Sequence, residues 1–137
     1  MREIKFRAWD EKQHRMWSAE EMGRDELTLN PDGRGFVNVS GDSPCLSQYA
    51  RHLVPEQYTG LKDRTGREIY EGDVVRHVDR LYGVDELATV GWRDGAFTLI
   101  SPREVSLLHL AYPMVEQVVG NIHEQVAEAA RPEGEPR

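Results

Sequence analysis

Residues 57–75 read Gln57-Tyr58-Thr59-Gly60-Leu61-Lys62-Asp63-Arg64-Thr65-Gly66-Arg67-Glu68-Ile69-Tyr70-Glu71-Gly72-Asp73-Val74-Val75. Gln57-Tyr58-Thr59 is rich in strand formers and stops at Gly60, and Asp63-Arg64-Thr65-Gly66 is a polar turn with its glycine last. Glu68-Ile69-Tyr70 restarts the apolar pattern, and Glu71-Gly72-Asp73 interrupts it again before Val74-Val75. Strand, tight turn, strand and a second tight turn within so short a stretch predict a β unit. Gly60, Gly66 and Gly72 stand where its turns need unusual backbone angles.

Strands are expected at 56–61, 73–79, 87–93, 96–100 and 114–119. Trp92-Arg93-Asp94-Gly95-Ala96-Phe97 is a hairpin signal centred on Asp-Gly. Five short strands joined by tight turns predict a small Src-homology-3-like barrel. Residues 103–111 fit a helix or a strand equally, because Val105, Leu107 and Leu108 can line either. Gly120 is read as a further structural turn glycine, and Asn121 with Glu124 forms a capping pattern for a carboxy-terminal helix that Pro132 stops.

Upstream, residues 3–9 alternate, with Ile4, Phe6 and Ala8 on one side and Lys5, Arg7 and Trp9 on the other. Asp10 to His14 is a polar reversal, and Arg15-Met16-Trp17 is the returning strand. Residues 18–26 suit a helical turn. Leu27-Thr28-Leu29 and residues 35–39 flank Asn30-Pro31-Asp32-Gly33 as a second hairpin, and Gly41 to Pro44 marks a loop. The expected class is mainly β with minor α content. A β-hairpin and oligomerisation region covers 1–50, the five-stranded barrel with its carboxy-terminal helix 51–131, and a tail 132–137.

The 57–75 block closely resembles the YopX family, small proteins of phages and prophages. Met1 to Asp10 is similar to that family's opening strand, and Val118-Val119-Gly120-Asn121-Ile122-His123-Glu124 to its closing block, with His123 where an aromatic is usual. The three blocks span 1–124, with a looser match over 18–56. The resemblance implies a phage or prophage origin and brings no catalytic residues and no cofactor with it.

Composition narrows the function classes. With 137 residues, 39% hydrophobic and 30% charged, the chain suits one ordinary domain or two small ones with a thin core. No apolar run is long enough for a membrane helix, and no apolar signal region opens the chain, so residence in the cytoplasm of a bacterial host is expected. Cys45 is the single cysteine, which rules out a disulfide within the chain and reads as an inert thiol. The five histidines show no metal-ligand spacing. Net charge is −7, although residues 1–17 hold five basic residues against three acidic ones. Such a balance argues against indiscriminate coating of nucleic acid, whose affinity comes from neutralising phosphates.

Two constellations are candidate binding surfaces. Lys5, Arg7, Trp9, Arg15 and Trp17 would form one cationic and aromatic patch if the hairpin brings them together, with arginines for phosphate and flat rings for bases. Against this stands a structural reading of buried tryptophans and solvated cations, which is preferred. Lys62, Arg64 and Arg67 on the polar turn would present cations to an anion or a partner, while the preferred structural reading makes that turn a fold device. The leading expectation is a non-enzymatic accessory protein that binds a host or phage protein, with self-association as a further expectation. One alternative is a nucleic-acid-binding regulator using the amino-terminal hairpin. Another is an acidic inhibitor that mimics nucleic acid.

Overall fold

In the computed structural model, residues 3–39, 49–102 and 105–124 are described. The expected loop at 41–44, the helix beyond Glu124 and the tail at 132–137 lie outside the described residues. The chain is mainly β. It divides into two compact units, Met1–Tyr58 and Thr59–Arg137, where the sequence reading drew its line at 50/51.

In the first unit, β1 (Phe6–Asp10) pairs antiparallel with β2 (Arg15–Trp17) on one side and with residues 53–57 of β6 (Leu53–Lys62) on the other. Helix α1 (Ala19–Arg24) starts at Ser18 through a reciprocal capping box. The Ser18 hydroxyl accepts from Glu21 N–H at 3.1 Å, and the Glu21 carboxylate accepts from Ser18 N–H at 3.0 Å. The second hairpin forms as expected from β3 (Leu27–Leu29) and β4 (Phe36–Asn38), with β5 (Tyr49–Ala50) on its far side. Gly35 permits that close approach, since a Cβ there would lie 2.4 Å from the Ala50 carbonyl oxygen. Ala8, Met22, Phe36 and Leu53 form this unit's core.

The second unit is built on a five-stranded antiparallel sheet. In chain order its strands are β8 (Asp73–Asp79), β9 (Val84–Arg93), β10 (Ala96–Ile100), β11 (Val105–Leu107) and β12 (Val115–Asn121), arranged β11-β10-β9-β8-β12. The expected five included 56–61, but that segment is part of β6 and runs beside β7 (Glu68–Tyr70). The place is taken by the stretch read as ambiguous, which is both things in succession: strand β11, then the short helix α2 (Leu108–Ala111). Leu108 and Ala111 join the core of Ile69, Val75, Val90, Leu99, Val115 and Val118, so one turn of helix buries what a longer strand would expose.

The Asp94-Gly95 turn has positive φ at both residues, 53° and 78°, the two-residue geometry that matches strand twist. It places Trp92 opposite Phe97, with the rings edge to face at 4.8 Å. Gly60, Gly66 and Gly72 have the expected positive φ. Gly120 does not stand in a turn: it lies within β12 opposite Val74, beside a break in register after Val118. A buried bulge, not a reversal, accounts for a glycine there.

Candidate functional site

The amino-terminal patch is not assembled. Register pairs Ala8 with Trp17, Trp9 with Met16 and Asp10 with Arg15, so Arg15 and Trp17 share a face with Ala8 and Asp10. Lys5, Arg7 and Trp9 fall on the opposite face by alternation. Arg7, expected in solvent, is buried, and its Nε donates to Glu56 Oε1 at 2.8 Å from the directly opposed position on β6. The pairing of β1 with β6 sets Glu56 directly opposite Arg7, so a carboxylate is at hand to pair the guanidinium out of water. Lys5 pairs with Glu3 at 3.0 Å and lies over the Tyr58 ring. Trp9 meets the edge of His14. Trp17 Nε1 donates to Asp10 Oδ2 at 3.0 Å, while Arg15 stacks on the Trp17 ring and pairs with Glu21.

The polar turn after β6 behaves differently. Its backbone is organised from within by Asp63, and its cations face outward. Asp63 Oδ1 accepts from the Thr65 N–H at 2.8 Å, the Thr65 hydroxyl at 2.7 Å and the Arg67 N–H at 2.9 Å. Oδ2 accepts from the Val118 N–H at 2.8 Å. Burial pushes the Asp63 carboxyl up, but hydrogen bonds from Thr65, Val118 and Arg67 outweigh it and hold the group below its ordinary range. Lys62, Arg64 and Arg67 remain exposed. Asp63 thus orders this turn from within, and its three cations lie on the surface.

Lys62, Asp63 and Arg64 form one wall of a cleft of about 300 Å³, and Tyr112 and Pro113 form the other. Tyr112–Met114 is a single turn of tight helix between α2 and β12, which places the ring and the proline beside the polar turn. Glu116, just inside β12, lies between two arginines. Arg80 Nη2 is 3.1 Å from its Oε1, and Arg64 Nη1 is 3.5 Å from its Oε2. The hydrogen bond from Arg80, with the nearby charges of Arg64, Arg80 and Arg76, lowers the Glu116 carboxyl pKa. Arg76 in turn grips Asp85 with two bonds, at 2.9 and 2.6 Å, across the β8–β9 pair.

Arg80 opens the turn that joins β8 to β9. Asp79 Oδ1 accepts from the N–H groups of Leu81 and Tyr82 at 3.0 and 3.3 Å, and Gly83 closes the loop with φ 68°. The turn is held by its own aspartate, yet its two apolar side chains point into solvent: Leu81 is 83% exposed and Tyr82 78%.

Sequence reading found Lys62 and Arg64 and missed Tyr112, Pro113, Glu116, Arg80, Leu81 and Tyr82. A usable signal existed for the last two, since an apolar pair between Asp79 and Gly83 is out of place in a turn that needs only polar residues. Among the described residues, no group of three or more His, Cys, Asp or Glu converges to hold a metal ion. Among the described residues, no helix is long and apolar enough to cross a membrane.

The family model described as YopX protein matches residues 5–127. Among solved structures, the chain is similar to one described as the crystal structure of protein EF1440 from Enterococcus faecalis. The two share 24% identity over 90% of this chain and 96% of that one, with a TM-score of 0.58. That likeness concerns the fold. The comparison with curated proteins finds no match.

Proposed function

The chain belongs to the YopX protein family, and from that premise we propose that it is a non-enzymatic accessory protein of phage type that works by binding another protein. The observation that carries this reading is the β8–β9 tip. Leu81 and Tyr82 stand almost fully in solvent on a loop whose backbone is already fixed by Asp79. A large apolar pair exposed on a pre-ordered loop costs little entropy to bury against a partner, and tyrosine is among the residues that anchor interfaces. Single exposed leucines are ordinary; an adjacent Leu-Tyr pair on a pinned tip is a better anchor.

Two observations weigh against the nucleic-acid reading placed on the amino-terminal hairpin: Arg7 is buried against Glu56, and Arg15 is engaged by Trp17 and Glu21. The test is a tagged pull-down from bacterial lysate, with and without nuclease, using the wild-type chain beside a Leu81→Asp, Tyr82→Ser variant. A protein retained after nuclease by the wild type and lost with the variant supports the reading. Retention of a protein by both alike removes the tip as the contact, and recovery only of nuclease-sensitive material overturns the protein-binding reading itself.

A further inference from the structure

Beside the tip, the charges are sorted in a way the overall acidity of the chain does not require. The turn 62–67 exposes Lys62, Arg64 and Arg67, while its one carboxylate, Asp63, is turned inward and saturated by the chain's own donors. The result is a cationic rim on a chain of net charge −7. Its cleft has an apolar opposite wall in Tyr112 and Pro113.

We propose that this cleft is the docking point for an acidic segment of a partner protein, taking a carboxylate on Lys62 and Arg64 and a neighbouring apolar side chain on Tyr112 and Pro113. The proposal rests on the protein-binding reading above and names the chemistry of the partner. Glu116 already shows the geometry in miniature, as a carboxylate held between Arg64 and Arg80. Of its two contacts the one to Arg64 is the longer, at 3.5 Å, and the Arg64 side chain is 55% exposed. So loose and solvated an ion pair is worth little, and an incoming carboxylate can take Arg64 from Glu116 at small cost. A planar guanidinium can then bind it with two parallel bonds.

A peptide fits better than a phosphate backbone because the cationic rim is short and carboxylates border it beyond the turn. Arg64, Glu116 and Arg80 alternate in sign, and Arg76 is matched by Asp85. A uniform polyanion would meet those carboxylates at its close charge spacing, whereas a protein segment can place isolated acids between neutral residues.

The experiment titrates the isotope-labelled full chain with a capped synthetic peptide in which aspartates and glutamates flank one phenylalanine, and follows amide shifts by NMR. A matched Asn/Gln peptide and a mixed-sequence single-stranded oligodeoxynucleotide serve as comparisons. The acidic peptide is expected to shift residues 62–65 and 112–118, and Lys62→Ala with Arg64→Ala to weaken it on the order of tenfold. Glu116→Gln removes the internal competitor and should strengthen binding a few fold. Equal shifts from the Asn/Gln peptide, shifts elsewhere, or tighter binding of the oligonucleotide in the cleft overturn the proposal. If the pull-down partner depends on Leu81 and Tyr82 while the cleft ignores the acidic peptide, this proposal fails and the protein-binding reading stands. If the cleft takes the peptide while the tip variant retains the same proteins as the wild type, the tip reading fails and the acidic-segment chemistry stands.

Discussion

Asp63 ties the turn after β6 to β12: its Oδ2 accepts the Val118 N–H at 2.8 Å, while Oδ1 closes the turn that carries it. β12 is an edge of the five-stranded sheet, so amides on its outer side have no ladder partner there. One buried carboxylate therefore satisfies an edge strand and orders the cationic turn at once. Asp63→Ala leaves the Val118 and Arg67 amides without this acceptor and should destabilise the chain by about 2–4 kcal/mol. Urea denaturation of the variant checks this, and an unchanged midpoint would remove Asp63 from the role.

The same bond sets a pH dependence. The Asp63 and Asp10 carboxyls both titrate below their unfolded value of 3.8 in the folded chain. For each, burial pushes up, and donors outweigh it: Thr65, Val118 and Arg67 at Asp63, and Gln13, Trp17 and Lys12 at Asp10. Between the folded and unfolded values the unfolded chain binds more protons, so acid favours unfolding. Their contribution is complete above the unfolded value and is lost as pH falls through the lower folded values. Stability measured from neutral pH downward should drop below about pH 4, and Asp63→Asn should flatten part of that drop.

Arg7 and Arg15 should separate sharply. Arg7→Ala removes the guanidinium paired with the buried Glu56 carboxylate and should cost about 3–5 kcal/mol. Arg15 is partly solvated and its pair with Glu21 is near the surface, so Arg15→Ala should cost no more than about 1 kcal/mol. Replacing the buried pair together, Arg7→Met with Glu56→Leu, should recover most of the loss. Chemical denaturation of the three variants tests this ranking, and equal costs for the two single changes would contradict it.

Strand alternation made this pair illegible in sequence. The period of two says that Arg7 and Ala8 face opposite ways, but not that both are buried or that Glu56 stands opposite Arg7, which is set by the pairing of β1 with the distant β6. Local chemistry was readable where a residue acts on its own neighbourhood: Asp94-Gly95 formed its hairpin, and Gly60, Gly66 and Gly72 took positive φ. Residues 103–111 stayed ambiguous because the switch from β11 to α2 is decided by burial of Leu108 and Ala111 against distant strands. The cleft was half legible for the same reason. Lys62 and Arg64 belong to the turn that sequence singled out, whereas Tyr112, Pro113 and Glu116 reach it only through the pairing of β12 with β8.

Gly72 has φ 85°, and its backbone is bonded on both sides, the N–H to Val90 and the carbonyl to Ile122. A β-branched side chain cannot adopt that angle without strain, and the paired bonds prevent the turn from relaxing. Gly72→Val should cost about 2–3 kcal/mol. A thermal melt equal to the wild type would mean the turn tolerates another conformation.

The tip variant should do the opposite of Asp63→Ala. Leu81 and Tyr82 are solvated in the free chain, and the Asp79 carboxylate holds their backbone amides, not their side chains. Leu81→Asp with Tyr82→Ser should therefore leave stability within about 0.5 kcal/mol, while placing a charge in the centre of any apolar contact the tip makes. Retention of a partner should fall at least tenfold if the pair is the anchor of the interface. A fold that weakens instead would show that the two side chains pack in solution. A fold and a partner both left intact would place the binding surface elsewhere on the chain.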